Sequence, residues 1–242
     1  MFIRTLHWLS AFAVAAFVIS PAVTADFNGF PPDIFPIPQI DPPVQPAGYA
    51  FSIWGLIYIW LCAQIGYGLW SRRESRLWVK PRIGLLLALG PGAFWLALAN
   101  SAPIAATVLI FWMLIWSLYA FINSPADEDR WILQAPIGVL AGWLSAASFV
   151  SLGLVLAGFG ILSQVPAALL ALGGLVLLGL YIQTRKPAAI EYGVTLIWAL
   201  TGVLVANLGG DWVVQAATVL AALTITLVAG RGLWTGQSGA RL

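Results

Sequence analysis

The sequence predicts an all-α, polytopic transmembrane helix bundle of about eight spans, and three observations carry that expectation. Apolar residues make up 61% of the 242-residue chain and charged residues 8%, against about 45 to 50% and about 25% in soluble domains. The apolar residues gather into eight runs, at about 9–23, 46–70, 83–99, 104–122, 131–157, 165–183, 192–206 and 212–229, most of them near the length that crosses a bilayer. Charge is one-sided: with the N-terminus inside, all 11 Lys and Arg fall on inner segments, while the outer segments carry Asp26, Asp33, Asp41 and Asp211. Basic loops stay on the cytoplasmic side during insertion, so the C-terminus is expected there too. A net charge of +2, confined to short clusters between apolar runs, leaves no basis for a nucleic-acid partner.

The first run follows Arg4 and His7, which read as residues of the membrane edge. It has two readings: a retained first span, or a secretory signal with small residues at Val23-Thr24-Ala25 where a peptidase cuts. Cleavage leaves seven spans and an outside N-terminus. The stretch 26–45 then holds six of the 15 prolines, among them Pro42 and Pro43. Proline at that density blocks helix and sheet ladders. Phe27, Phe30, Ile34, Phe35, Ile37 and Ile40 are too apolar for a solvated linker, so the segment is expected to fold back over the bundle mouth; a flexible spacer is the alternative.

The second span opens with PAGYAFSIWGLIYIW, from Pro46 to Trp60. Pro46 suits a first helical turn. Phe51, Trp54 and Tyr58 fall at i, i+3 and i+7, an aromatic face, while Gly48, Ser52 and Gly55 make a small-residue face that permits close helix contact. Cys62, the only cysteine, reads as a small core residue of this span. After it, Arg72, Arg73, Arg76, Lys80 and Arg82 form the strongest inside signal. Pro91-Gly92 is expected to kink the third span. A short uncharged turn precedes the fourth span, and Asp127 to Arg130 mark the next inner loop.

In the fifth span Gly138, Gly142 and Ala146 follow the small-xxx-small spacing that lets helix backbones approach. Arg185 and Lys186 separate the sixth and seventh spans, with Glu191 read as interfacial beside them; Arg231 and Arg241 follow the eighth. Trp70, Trp78 and Trp131 flank inner loops as an interfacial belt. Trp54, Trp95 and Trp143 instead lie in the outer half of their spans, beneath the proline-rich loop, where they are placed to line one pocket.

The order proline, Phe51, Trp54, Tyr58, as P-x4-F-x2-W-x3-Y at the start of a second span, resembles the translocator protein family, also called tryptophan-rich sensory proteins (TspO/MBR). Trp143, Ala147 and Ser151 are similar to that family's W-x3-A-x3-N pattern with serine for asparagine, and Gly92 to Trp95 to its N-x2-W with glycine for asparagine. The resemblance implies a five-helix core over residues 1–157 that binds porphyrins and other flat apolar ligands, in a bacterial inner membrane, followed by three additional helices over 158–242. It also favours retention of the first span.

Function is read accordingly. Ionisable or nucleophilic groups within the spans are too few for catalysis, and no metal-ligating cluster or phosphate loop occurs, so an enzyme is not expected. The favoured reading is a membrane binding or sensory protein with no required cofactor, whose hydrophobic small-molecule ligand is plausibly a porphyrin or other tetrapyrrole. The ligand would lie between the second, third and fifth spans, against Pro46, Phe51, Trp54, Tyr58, Trp95, Trp143 and Ser151. The alternatives are a structural or assembly subunit, alone as a homodimer or in a larger membrane complex, and a small-molecule transporter.

Overall fold

In the computed structural model, residues 2–24 and 27–239 are described, with side chains described as far as Arg231. Ala25 and Asp26 at the cleavage-like site, and Arg241, lie outside the described residues. All regular structure among the described residues is helical. The elements are α1 (Phe2–Val23), α2 (Ile53–Ser71), α3 (Val79–Gly92), α4 (Trp95–Ala99), α5 (Pro103–Ile122), α6 (Ala135–Gly158), α7 (Gln164–Arg185), α8 (Ile190–Ala206) and α9 (Trp212–Gly239).

Among the described residues six helical segments are long and apolar enough to cross a membrane. The two apolar runs outside that group have evident reasons. The third run is broken into α3 and α4 at Ala93 and Phe94, just after the expected Pro91-Gly92 kink. The seventh, α8, has 17 residues. The chain is thus an integral membrane helix bundle.

The bundle is built around α6, of whose 24 residues 18 are buried. It packs against α2, α5, α7 and α8, while α1 and α5 flank α3 and α9 closes the far side on α7 and α8. The two glycines of its small-residue stripe serve different neighbours. A Cβ on Gly142 would lie 2.8 Å from the Tyr192 carbonyl oxygen of α8, and one on Gly138 would lie 2.9 Å from the Phe121 ring of α5. The small-residue face of α2 has no such neighbour. Gly48 and Gly55 meet nothing within 4 Å, and Cys62 is exposed on this helix rather than buried in the core.

The N-terminal end of α1 and the inner loops meet at one end of the bundle. Asp129 accepts from Arg72 Nε at 2.7 Å, Trp78 Nε1 at 2.9 Å and the Tyr67 hydroxyl at 3.1 Å. Arg130 pairs with Glu191 at 2.7 Å, so Glu191 is a buried partner of the α5–α6 connection. Arg4 pairs with Glu74, and Lys186 donates to the Ser124 carbonyl at 2.6 Å. Trp70 and Trp131 are exposed, as an interfacial belt requires, but Trp78 is 3% exposed and serves Asp129 instead.

Candidate functional site

At the opposite end, the proline-rich loop is folded onto the bundle. Phe30, Phe35, Val44 and Gln39 are buried, whereas Ile37 and Ile40 are exposed. Three main-chain carbonyls anchor it: Ile37 N–H donates to Gly158 at 2.9 Å and Ala47 N–H to Gly202 at 3.0 Å, while the Asn207 amide donates to the Pro43 carbonyl at 2.8 Å. Glycine is needed under the loop. A Cβ on Gly158 would fall 2.4 Å from the Phe35 ring, and one on Gly202 would fall 2.8 Å from the Ala50 Cβ. Gly29 adopts φ +120°, a conformation open to glycine, with the Gln45 side chain packed against it.

The chain enters α2 through a tight 3-10 turn, Gly48–Ser52, held by the Trp198 indole donating to the Ala50 carbonyl at 3.0 Å. Phe51 sits on this turn, and Trp54 lies just inside the regular helix. Trp95 heads the short α4, its indole N–H donating to the Ala106 carbonyl of α5 at 2.9 Å. Trp143 and Ser151 lie about two turns apart on α6, and both are buried.

These residues surround one cavity beneath the loop. Pro46, Phe51, Trp54, Trp95, Trp143 and Ser151 all line it, together with Ala147. Tyr58 does not. It is stacked on Trp54 with 5.5 Å between centroids and 18° between planes, and Phe17 of α1 meets both rings edge to face. The lining rings touch edge to face in a continuous series: Phe27 meets Trp95 at 5.0 Å and Phe51 at 6.1 Å, and Trp143 meets Phe51 at 5.8 Å and Trp54 at 6.1 Å. Edge-to-face contacts of this kind fix ring orientation beyond simple burial.

The cavity encloses about 720 Å³ of non-atom space, its open mouth included, and only a small part of that is wide enough for the centre of a water molecule. Among the described residues no ionisable side chain lines it; Gln45 and Ser151 supply the polar side chains apart from the indole N–H groups. The arrangement can bury a flat apolar molecule, but a macrocycle needs the loop or its rings to shift.

Two sets of lining residues are not among the site residues expected from sequence. Phe27 and Phe30 of the loop form part of the wall, and α7 and α8 contribute Leu172, Leu175, Leu200 and Val203. The expected site between the second, third and fifth spans therefore extends to the sixth and seventh. At the position where the family resemblance calls for asparagine, a Cβ on Gly92 would lie 2.7 Å from the Met113 methyl, so Met113 of α5 occupies that volume.

No curated protein and no solved structure matches the chain. A family model described as TSPO-like protein matches residues 7–230, which includes α7, α8 and most of α9. The match runs from the first helix to the last through every element that lines the cavity, and on that evidence the chain belongs to the TSPO-like protein family.

Proposed function

We propose that the protein is a membrane binding or sensory protein that holds a flat apolar small molecule in the aromatic cavity beneath the proline-rich loop. The observation that carries this reading is the convergence of Phe27, Phe51, Trp54, Trp95 and Trp143, from the loop, the 3-10 turn and three helices, on one cavity with no ionisable side chain among the described residues. Flat apolar walls with few polar groups favour a planar ligand through stacking and area burial. A tetrapyrrole has the right shape. Its carboxylates would find no cation in the lining, so they belong at the mouth, beside the loop. Ligand entry requires displacement of the segment anchored by Ile37, Pro43 and Ala47.

In this reading the eight apolar runs all cross the membrane, α3 with α4 making one crossing and α8 another. The basic end is cytoplasmic, as is the C-terminus, and the loop end faces the other side of a bacterial inner membrane. In this reading the protein acts by binding its ligand.

The test is titration of a porphyrin into detergent-purified protein, following quenching of intrinsic tryptophan fluorescence. Saturable quenching at about one ligand per chain is expected. A linear, non-saturating response overturns the reading.

A second reading rests on the outward face of α2, where Gly55, Leu56, Ile59 and Cys62 are exposed and Gly55 meets nothing within 4 Å. Such a face suits association with another helix, in a homodimer or a larger membrane complex. Copurification of a stable partner in the absence of any bound ligand would favour this structural role.

A further inference from the structure

A second cavity lies toward the basic end, between α1, α2 and α3. His7, Gln64, Arg82 and Trp78 line it, and its apolar walls include Val14 and Leu133. His7, the only histidine in the chain, is 4% exposed, Gln64 is 2% exposed and Arg82 is 4% exposed. The sequence places His7 at a membrane edge, yet the imidazole is buried inside the bundle.

The polar atoms around this space are unequally served. Arg82 is occupied: its guanidinium donates to the Arg72 carbonyl at 2.7 Å and lies over the Trp78 ring at 5.2 Å. The Gln64 amide nitrogen reaches the Leu133 carbonyl at 3.4 Å. Gln64 Oε1 and both ring nitrogens of His7 are buried without a hydrogen-bond partner among the described residues. Three such atoms around one space are costly, because each lost hydrogen bond carries the full desolvation of its group.

Their chemistry specifies what satisfies them. A neutral imidazole offers one donor and one acceptor, and an amide oxygen only accepts. A partner must therefore donate to Gln64 Oε1 and to one ring nitrogen, and accept from the other. The Arg82 guanidinium in the same wall opposes a cation. We propose that this cavity is a polar binding site inside the membrane bundle for a small uncharged molecule that both donates and accepts hydrogen bonds, water being the smallest of the class, bridging His7 and Gln64. Buried waters characteristically make two to four hydrogen bonds to groups of this kind.

A single histidine makes the test selective. In protein labelled with 15N-histidine, all imidazole signals come from His7. The expected result is a neutral imidazole with a cross-peak between its ring N–H and water, and Gln64→Leu should weaken that cross-peak and shift the ring nitrogens while the protein keeps its helicity and elution volume. A wild-type imidazole without contact to water or to any other bound hydrogen-bonding molecule overturns the proposal, whether or not Gln64→Leu folds. Ring signals indifferent to a folded Gln64→Leu also overturn it, since the two side chains would then share no ligand. Titration with sodium formate and with inorganic phosphate should leave the resonances in place. A saturable shift toward imidazolium values would assign the site to an anion instead and reject the uncharged class.

Discussion

The indole of Trp54 on α2 meets that of Trp143 on α6 edge-on, with 6.1 Å between centroids and 83° between planes. This contact joins the motif that opens the second span to the central helix of the bundle, and Phe51 makes a second edge-to-face contact to Trp143 at 5.8 Å. Loop, α2 and α6 are thereby tied at the cavity, so perturbing the loop should be felt there.

The loop is expected to loosen when its side-chain anchor is removed. Asn207 donates to the Pro43 carbonyl, and one such bond contributes about 1 kcal/mol. Asn207→Ala should raise the open population of the loop roughly fivefold. Hydrogen exchange is the readout, with faster exchange at the Ile37 and Ala47 amides and unchanged exchange in the middle of α6.

Close approach of α6 to α8 depends on Gly142, where a Cβ would lie 2.8 Å from a backbone oxygen that cannot swing aside. Gly142→Ala should therefore force the helices apart and cost about 1 to 3 kcal/mol, as overpacking does. Gly55→Ala, which meets open space, should leave the thermal midpoint in detergent near the wild-type value. Equal midpoints for the two variants would contradict the assigned packing.

Asp129 sets an acid limit on stability. Burial alone would raise its carboxyl, but hydrogen bonds from Arg72, Trp78 and Tyr67 outweigh burial and hold it below its ordinary value of 3.8. A carboxylate with a depressed folded pKa contributes stability that is present above the unfolded value and is lost as pH falls through the folded value. Wild type should thus lose stability on acidification below about pH 4, and Asp129→Asn should lose less over the same interval while starting lower at pH 7. Asparagine tolerates the left-handed backbone of this position, φ 56°, so the comparison isolates the charge.

Orientation is checked by reporter fusions. Those after Arg76, Asp129 and Lys186 should read cytoplasmic, and those after Ile40, Ala102 and Gly210 external, following the one-sided Lys and Arg. A cytoplasmic Ile40 fusion would put the loop on the wrong face.

Helix positions were legible because apolar run length and proline or glycine breaks are direct consequences of crossing a bilayer. The expected third-span kink at Pro91-Gly92 and the entry near Pro46 followed from backbone chemistry alone. Side-chain direction was less legible. Phe51, Trp54 and Tyr58 share a face in an ideal α-helix, but Phe51 sits on the 3-10 segment Gly48–Ser52, so the projection does not carry across Ser52. Tyr58 falls a turn deeper, against Phe17. The contributions of α7 and α8 were hidden for another reason: Leu172 and Leu200 face the cavity while Leu170 and Leu177 face outward, and in a membrane both environments select the same residue types. His7 was misplaced because its proximity to Arg4 in sequence says nothing about which way a helix turns its side chain.

The central claim is that Trp54 lies against a bound flat ligand, and it is tested most directly by the porphyrin affinity of wild type beside Trp54→Ala and Trp70→Ala. Loss of ring stacking, about 0.5 to 1.5 kcal/mol, together with lost buried ring area should weaken binding by Trp54→Ala roughly tenfold or more. Trp70, 86% exposed at the far end of α2, should be dispensable. Unchanged affinity in a Trp54→Ala protein with native helicity and elution volume would contradict the account.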